Sequence, residues 1–293
     1  MSFKKVDLSF QSCKSEYDDS DVVIFSVPMD WTTSFRPGTR FAGNQVRVDS
    51  FGIEWYSPYR EANLRDYKTS DIGDLELPIG DVENSLKVVY ETSKKIYEDD
   101  KFPVMIGGEH LVTLPVLQAA KEKYDNLHVI HLDAHTDLRE SFFGRELSHA
   151  TFMYHAHKFL GDHTIYQFGI RSGDQHEFDW AKKHIYQRLF DFEGLDQAVE
   201  KLKNVPVYIT IDIDVLDPSV VSGTGTPEPG GMQYKDVLWA FEQFEKLGHI
   251  VGCDLVELNP YLDPSGASTA VAVKTIRELT LILQKNISKN KSI

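Results

Sequence analysis

Cysteine is almost absent from this chain of 293 residues, which contains only Cys13 and Cys253. One lies near the N-terminus and the other inside an apolar run, so the sequence offers neither a disulfide framework nor a thiolate metal cluster. No apolar run reaches the length of about 20 residues that a membrane-spanning helix needs, so we expect no membrane segment. Residues 1–20 lack the apolar core and cleavage site of a signal peptide, and we therefore expect a cytoplasmic protein.

Basic residues are also in deficit, because 31 Lys and Arg stand against 45 Asp and Glu, which gives a net charge of −14 at pH 7. Negative charge disfavours contact with nucleic acid and favours the approach of cations. We therefore expect no nucleic-acid partner, whereas small cationic substrates and divalent metal ions fit the charge balance. An acidic surface can also serve solubility alone, so the charge does not identify a ligand by itself.

Repeats, low-complexity tracts and linkers are missing, and a single α/β domain can reach this length. Short runs rich in β-branched and aromatic residues predict buried strands, and the segments between them predict helices. The predicted strands are Val22–Val27, Pro103–Ile106, Leu127–Leu132, Thr164–Ile170, Val207–Ile213 and Ile250–Leu258. The predicted helices are Val82–Glu98, Leu114–Tyr124, Glu177–His184, Leu195–Lys203, Tyr234–Leu247 and Thr269–Gln284.

Because strands and helices alternate, we predict a central, mostly parallel sheet with helices on both faces. We assign residues 21–285 to this one domain. Residues 1–20 are an N-terminal segment of unclear role, and residues 286–293 are predicted to be a frayed C-terminal tail.

Acidic side chains and imidazoles gather where the predicted strands end. Three potential metal ligands occupy alternate positions directly after the run Val129–Leu132, namely Asp133, His135 and Asp137. Residues two apart in an extended chain project to the same side. Asp212 and Asp214 repeat this spacing at the end of another strand, and His110 follows Gly107-Gly108 after a third. In open parallel sheets this edge is where ligands bind.

Burying several carboxylates together is untenable unless cations neutralise them. Two divalent ions would balance the four charges of Asp133, Asp137, Asp212 and Asp214. Carboxylate oxygens mixed with imidazole nitrogens favour manganese, iron or zinc over magnesium or calcium, and we predict two manganese ions per chain. A single Asp or His after a strand is usually a cap or a turn residue. Their joint occurrence at three strand ends favours a metal site.

With these motifs in view, the sequence resembles the ureohydrolase family, which includes arginases, agmatinases and formiminoglutamases. The resemblance runs in order from Pro28 to Pro260, and it implies the arginase-like three-layer α/β fold and a homo-oligomer, either a trimer or a hexamer. It rests on Gly107-Gly108-Glu109-His110, Asp133-Ala134-His135-Thr136-Asp137, Ser148-His149-Ala150, Asp212-Ile213-Asp214-Val215-Leu216-Asp217-Pro218 and the Gly/Pro-rich stretch Gly223–Gly231.

The resemblance also implies how the metal ions are held. One manganese would be bound by His110, Asp133, Asp137 and Asp212. The other would be bound by Asp133, His135, Asp212 and Asp214, so that Asp133 and Asp212 bridge the pair. A hydroxide between the two ions would attack the guanidinium carbon of the substrate, since two cations lower the pKa of bound water towards neutrality.

Further roles are carried over by matching position. Glu257 matches the guanidinium-binding glutamate, which can hold its ligand through two parallel hydrogen bonds, although a surface acid at a strand end is the alternative. Asp137 would pass a proton to the departing amine. His149 would contact substrate and connect the site to solvent, since its pKa lies near neutrality, unless it is a plain loop residue. Thr226 would line the pocket, and with Glu228 it would support the metal ligands.

Within the family the segment from Asp137 to Ala150 is most similar to agmatinases, which implies hydrolysis of agmatine to putrescine and urea. Arginases commonly carry an asparagine where this chain has Arg139. If Arg139 instead pairs with Glu140 or Glu146 outside the pocket, it says nothing about specificity. Arginase, guanidinobutyrase or formiminoglutamase activity, or a catalytically silent regulatory protein, are the alternatives. The remaining histidines, including His131, lack such a context, and we expect them to be structural or exposed.

Overall fold

The computed structural model describes residues 8–291, and within this range ten strands and eight α-helices follow one another. The strands are β1 Val22–Ser26, β2 Tyr56–Ser57, β3 Ala62–Asn63, β4 Thr69–Asp74, β5 Phe102–Ile106, β6 His128–Leu132, β7 Ile165–Ile170, β8 Tyr186–Leu189, β9 Pro206–Asp212 and β10 His249–Val256. The helices are α1 Ala42–Ser50, α2 Val82–Glu98, α3 Thr113–Lys123, α4 Phe152–Leu160, α5 Gln175–His184, α6 Leu195–Leu202, α7 Tyr234–Phe244 and α8 Ala267–Lys291.

Eight of these strands form one sheet in the order β4-β1-β5-β10-β9-β6-β7-β8, and every neighbouring pair is parallel. The short strands β2 and β3 pair antiparallel in a sheet of their own. The predicted parallel α/β architecture is therefore confirmed. Among the described residues, none of the helices combines the length and the apolar character that crossing a bilayer would require.

The sheet separates two apolar cores, which explains why its strands are almost continuously hydrophobic. In β1, for example, Val22 and Ile24 contribute to one core, and Val23 and Phe25 contribute to the other. Helices α1, α6, α7 and α8 cover the first core, whereas α2, α3, α4 and α5 cover the second. Helices thus lie on both faces of the sheet, as in the predicted three layers.

Two edge strands and two helices were not predicted. Strand β4 has the sequence Thr-Ser-Asp-Ile-Gly-Asp and β8 the sequence Tyr-Gln-Arg-Leu. Both are polar because an edge strand is protected by hydrophilic side chains rather than by burial. Helix α1 is rich in polar residues, and α4 is only nine residues long and carries two histidines and a lysine among its apolar residues.

The N-terminal segment packs against the edge of the sheet that is formed by β4. Phe10 is buried, and its backbone N–H donates to Asp71 Oδ2 on β4 at 2.7 Å. The backbone N–H of Gln11 donates to Ser50 Oγ at the end of α1, at 3.0 Å. The described part of the segment, residues 8–20, therefore joins α1 to β4, and residues 1–7 lie outside the described residues.

The prediction of a frayed tail from residue 286 onwards is wrong for residues 286–291, because α8 continues to Lys291. Asn286 is buried, and it joins the helix to the start of β10. Its Oδ1 accepts from the backbone N–H of Ile250 at 3.0 Å, and its Nδ2 donates to the carbonyl of Leu247 at 2.8 Å. Residues 292–293 lie outside the described residues.

Arg47 on α1 holds the edge strand β4 through a buried ion pair. Its Nε and Nη2 donate to the two carboxylate oxygens of Asp71, both at 2.8 Å, and only 2% of the Arg47 side chain is exposed. Removing one partner leaves an unpaired buried charge, so we expect Arg47→Met to lower the free energy of unfolding by roughly 3–5 kcal/mol. Urea denaturation would measure this, with exposed Lys235→Met as the matched control. Equal stabilities of the two variants would contradict the prediction.

Candidate metal centre and active site

Four adjacent strands in the middle of the sheet, β5, β10, β9 and β6, deliver the acidic and imidazole side chains to one edge. The loop after β5 crosses close to the loop after β1. A Cβ at Gly108 would lie 1.9 Å from the backbone oxygen of Met29, so only glycine permits this approach. The crossing places His110 beside the ligands that follow β6 and β9. It explains on steric grounds why the second glycine of the Gly-Gly-Glu-His motif is required.

His110 faces three carboxylates with one ring nitrogen. Its Nδ1 lies 3.1 Å from Asp133 Oδ2, 3.3 Å from Asp212 Oδ2 and 3.5 Å from Asp137 Oδ2. The other nitrogen, Nε2, lies 2.9 Å from Thr210 Oγ1. The Thr210 hydroxyl donates to Asp254 Oδ1 at 2.6 Å, so its oxygen accepts a hydrogen from His110 Nε2.

This arrangement leaves the lone pair of His110 Nδ1 directed at carboxylate oxygens. Among the described residues, Nδ1 is buried and makes no hydrogen bond. Lone pairs of nitrogen and oxygen that converge in a buried site repel one another unless a cation lies between them. The donor set therefore fits a divalent metal ion.

His135 forms a second cluster that shares Asp133 with the first. Its Nδ1 lies 3.0 Å from Asp214 Oδ2 and 3.6 Å from Asp133 Oδ1. Thr226 Oγ1 donates to Asp214 Oδ2 at 3.3 Å, and Glu228 Oε1 lies 3.6 Å from the outer nitrogen of His135. Thr226 and Glu228 thus contact the ligands from outside, which is how such ligands are oriented in metal sites.

The pKa values of the buried carboxylates indicate that this cluster requires additional positive charge to be fully ionised. Burial and the charge of Asp133 raise the pKa of Asp137 well above its usual value. Burial and the charge of Asp214 do the same to the pKa of Asp212. Carboxylates that crowd together in this way ionise fully only when cations compensate them. Two divalent ions would supply the charge that the four carboxylates require.

Asp137 and Glu257 both adopt the left-handed backbone region, with φ of 52° and 63°. Non-glycine residues pay about 1–3 kcal/mol for such conformations, which concentrate at functional sites. The backbone carbonyl of Asp137 accepts hydrogen bonds from Met153 and Tyr154 at the start of α4, at 3.2 and 3.3 Å, so the helix holds this turn. The strained turns project both side chains into one cavity.

That cavity has a volume of about 330 Å³, within the range of small-molecule sites. Part of its wall is the metal cluster, represented by Asp137, Asp212 and His135. The rest combines polar and aromatic side chains that a bound substrate would meet, including Glu257, His149, Thr226, Arg139, Phe142 and Asp174.

Glu257 is fixed by the loop that carries His110. Its Oε1 accepts from the backbone N–H of His110 at 2.8 Å, and its own N–H donates to the carbonyl of Gly108 at 2.9 Å. Burial, together with the neighbouring Glu109 carboxylate, raises the pKa of Glu257 to about 8. A cation beside this carboxylate would favour its ionised form, so the site is suited to a positively charged ligand.

His149 is held by Thr32, a residue that the sequence analysis did not identify. The backbone N–H of His149 donates to Thr32 Oγ1 at 3.0 Å, and Thr32 is bound in turn by Glu109 through hydrogen bonds of 2.7 and 2.8 Å. Burial, followed by the charge of His135, lowers the pKa of His149 to about 4. This value lies below the near-neutral pKa expected for His149, because its half-buried ring is partly removed from water.

His131 is a second residue that sequence reasoning missed. It is buried in β6, and its Nε2 lies 2.7 Å from Asp133 Oδ2. Its Nδ1 lies 3.0 Å from Gln167 Nε2, which also donates to the carbonyl of Thr136 at 2.7 Å. Nδ1 is therefore an acceptor, and the hydrogen on Nε2 is donated to Asp133. The available signal was spacing, since His131 lies two residues before Asp133 on the same side of the strand.

Because His131 fixes one oxygen of a carboxylate shared by both clusters, we expect His131→Ala to weaken metal activation. Supporting partners of metal ligands typically contribute 10–100-fold to affinity, so the manganese concentration for half-maximal activity should rise by roughly this factor. Titration of activity with Mn²⁺ would measure it, and the rate at saturating metal should fall much less. His128→Ala, on the same strand but outside the site, is the control. An unchanged activation curve for His131→Ala would disprove this role.

Arg139 lies in the cavity wall rather than outside the pocket. Its ion pairs are formed with Asp174 and Glu177 and not with Glu140 or Glu146. Nη1 lies 2.7 Å from Asp174 Oδ2, and Nε lies 3.5 Å from Glu177 Oε2. Both acids come from the N-terminal end of α5, so the ion pairs of Arg139 join the segment after Asp137 to this helix.

Comparison with known proteins agrees with this architecture. Residues 20–282 match the model of the Arginase family. An agmatinase from Bacillus cereus is 45% identical over 269 residues, which cover 90% of this chain and 92% of the relative. A guanidinobutyrase from Pseudomonas aeruginosa is 29% identical over 287 residues, covering 92% of this chain and 88% of the relative. The crystal structure of a Clostridium difficile protein, 46% identical, superimposes with a TM-score of 0.91 and covers 93% of this chain and 100% of its own.

A parallel three-layer α/β fold with a buried cluster of carboxylates and imidazoles at the carboxyl edge of its sheet is that of a metal-dependent hydrolase. The chain belongs to the Arginase family, whose members are binuclear metal hydrolases, and the resemblance inferred from the motifs is thereby confirmed.

Proposed function

We propose that this protein is an agmatinase, which hydrolyses agmatine to putrescine and urea with two bound manganese ions. The observation that carries the proposal is the position of the Glu257 carboxylate in the same cavity as the metal cluster. A guanidinium group held there would face Asp137 and Asp212. The similarity to an agmatinase over nearly the whole chain supports the choice of substrate.

We assign the first manganese to His110, Asp133, Asp137 and Asp212, and the second to Asp133, His135, Asp212 and Asp214. Oxygens of Asp133, Asp137 and Asp212 converge on His110 Nδ1, which supports the first set. Oxygens of Asp133 and Asp214 lie near His135 Nδ1, which supports the second set, and Asp212 enters the second set from the family resemblance alone. Bound divalent ions compensate the four carboxylates and supply an ionised water as the nucleophile near neutral pH. Nitrogen and oxygen donors without sulfur are compatible with manganese.

The residues of the chain orient the substrate and move protons. Within the described part of the protein, Glu257 uses only Oε1 in a hydrogen bond, which leaves Oε2 for the guanidinium. A carboxylate held in this way fixes both the charge and the direction of its ligand. Asp137 takes up a proton beside the reacting carbon and returns it to the departing amine. His149, an uncharged imidazole at the cavity wall, contacts the substrate and relays protons to solvent.

The presence of Arg139 in the cavity wall makes guanidinobutyrate a second candidate substrate. Arg139 lines the wall, and a substrate carboxylate could pair with its guanidinium. One relative of this chain is a guanidinobutyrase. We favour agmatine because the Arg139 charge is already matched by Asp174 and Glu177, so that the cavity wall around Arg139 carries more negative than positive groups.

Urea release from agmatine, arginine and guanidinobutyrate by the manganese-loaded protein tests the proposal, with formamide release from formiminoglutamate measured in parallel. We expect the highest kcat/KM for agmatine and no turnover after chelation. Faster turnover of guanidinobutyrate or arginine would reject agmatine as the substrate while keeping the hydrolase class. No turnover of any of the four would favour a catalytically silent regulatory protein.

Asp174 gives a sharper test of how the amine end of agmatine is recognised. The Asp174→Asn variant keeps the shape of the side chain but removes its charge. We expect KM for agmatine to rise about two- to fivefold, the effect of losing one exposed ion pair, while KM for guanidinobutyrate falls or stays constant. The control is Asp179→Asn, an exposed acid on the same helix. Equal effects on both substrates would show that Asp174 does not discriminate between them.

We also propose that the protein works in the cytoplasm as a homo-oligomer, a trimer or a hexamer. Exposed aromatic side chains support a subunit contact, since the rings of Phe41 and Tyr261 lie 4.7 Å apart on the surface and Phe51 is exposed after α1. Light scattering coupled to gel filtration distinguishes these assemblies from a monomer.

A further inference from the structure

Outside the catalytic cavity, two imidazoles converge on a single carboxylate oxygen. His157 Nε2 and His184 Nδ1 each lie 2.8 Å from Asp162 Oδ1. His157 belongs to α4, His184 is the last residue of α5, and Asp162 lies in the turn between α4 and β7. The two nitrogens and the carboxylate oxygen all lie within 4.8 Å of one another.

The two rings are held in place by Trp180 on α5. The Trp180 ring stacks on His184 with centroids 4.4 Å apart and an interplanar angle of 27°. It meets His157 edge-on, with centroids 4.7 Å apart and an angle of 83°. Only 16% of the His157 side chain and 32% of the His184 side chain are exposed, against 54% for Asp162. Two ligands are thus pre-oriented, and the third is free to adjust.

The backbone of the turn also favours this convergence. Gly161 and His163, on either side of Asp162, both have left-handed φ, of 92° and 63°. The N–H of His163 donates to the carbonyl of His184 at 2.7 Å, which ties the turn to the end of α5. Positive φ is uncommon outside glycine, although histidine adopts it more often than most residues, and the hydrogen bond from His163 to His184 holds the turn in this conformation.

We propose that His157, Asp162 and His184 form a zinc site separate from the binuclear centre. Two imidazole nitrogens and one carboxylate oxygen are donors that Zn²⁺ accepts, and magnesium or calcium would prefer oxygen alone. Bonds of about 2.0–2.1 Å in a tetrahedral site place the donor atoms about 3.3 Å apart. Both distances of 2.8 Å from the imidazole nitrogens to Asp162 Oδ1 are shorter than this, so the exposed carboxylate would move outwards as the ion enters, and water would complete the fourth position.

A zinc ion at this site would connect the C-terminal ends of two helices that matter to catalysis. Helix α4 begins three residues after His149 and its N–H groups hold the carbonyl of Asp137. Helix α5 begins beside Asp174 and carries Glu177, both of which line the cavity. Because an ion that binds only the folded state stabilises that state, zinc should raise the melting temperature of the manganese-loaded enzyme.

The test uses the full-length protein with its catalytic centre filled by Mn²⁺. Equilibrium dialysis against Zn²⁺ with elemental analysis should find one more zinc per chain in the wild type than in His184→Asn or Asp162→Asn. Substitution with Co²⁺ should give the visible absorption of a tetrahedral site, and Cu²⁺ should quench Trp180 fluorescence, in the wild type only. The control is His176→Ala, an exposed histidine at the other end of α5, which should behave as the wild type.

Manganese-dependent urea release in each variant reports that the fold is retained, so a lost zinc ion cannot be ascribed to unfolding. Equal zinc contents in the wild type, His184→Asn and Asp162→Asn would overturn the proposal. In that case the three residues form a hydrogen-bonded group only.

Discussion

Asp133→Asn should reduce urea release from agmatine by at least roughly three orders of magnitude, equivalent to about 4 kcal/mol of transition-state stabilisation. Both oxygens of Asp133 are engaged. Oδ1 faces His135, and Oδ2 lies between His110 and His131. An amide keeps one oxygen and replaces the other with an NH2 group, which carries hydrogens and offers no lone pair to a metal ion. The variant therefore loses the ligand shared by both clusters.

Chelation of the wild-type protein should cause the same loss, with recovery when Mn²⁺ is restored. The variant should not recover. Activity and bound metal would be measured together, with Asp196→Asn, an exposed acid on α6, as the control for a single lost charge. If Asp133→Asn kept more than about a tenth of the activity, the activation barrier would have changed by less than about 1.4 kcal/mol. That result would contradict the role of Asp133 as a ligand shared by both clusters.

Stability of the metal-free protein should fall together with activity. Burial opposes the charge of Asp133, but hydrogen bonds and charges from His131, His110 and His135 hold its pKa well below the usual value. The charged carboxylate therefore stabilises the folded state, and metal-free Asp133→Asn should melt below the metal-free wild type. A cooperative melting transition above the assay temperature would show that the inactive variant is folded, and would separate a defect of the site from a defect of folding.

The ligands that lie close together in the chain were predictable because strand geometry is periodic. Asp133, His135 and Asp137 were identified from alternate spacing after an apolar run, and Asp212 and Asp214 from the same pattern. The structure brings all of them, with His110, to one edge of the sheet. Local pattern was sufficient here because parallel strands deliver their carboxyl ends to a common edge.

What could not be predicted depends on contacts between distant segments. The partners of Arg139 come from α5, 35 or more positions along the chain, and no local rule selects Asp174 over Glu140. The lowered pKa of His149 results from burial, which the sequence does not display. The edge strand β4 was missed because its sequence is polar, and its contacts with β1 and with Arg47 join segments that are distant in the chain.

Glu257→Gln should lower kcat/KM for agmatine by about 100-fold, equivalent to roughly 2.7 kcal/mol. Glutamine has the same shape, so its carbonyl oxygen can still accept from the backbone N–H of His110. The substitution removes the negative charge that faces the substrate, and its amide nitrogen would turn hydrogens towards a guanidinium that carries only donors. The variant should therefore lose the charge and the orientation that Glu257 provides for the substrate, while the loop that carries His110 stays in place.

Metal content distinguishes this variant from Asp133→Asn. Glu257 is outside both proposed ligand sets, so Glu257→Gln should bind manganese with the wild-type stoichiometry while it hydrolyses agmatine slowly. Glu200→Gln, an exposed acid on α6, provides the same change of charge away from the cavity and should leave kcat/KM unchanged. If Glu257→Gln retained its kcat/KM, the guanidinium would have to be held by other groups in the cavity, and the orientation proposed for the substrate would be wrong. If it lost both metal and activity, Glu257 would act through the His110 loop to which its carboxylate is bonded, rather than through the substrate.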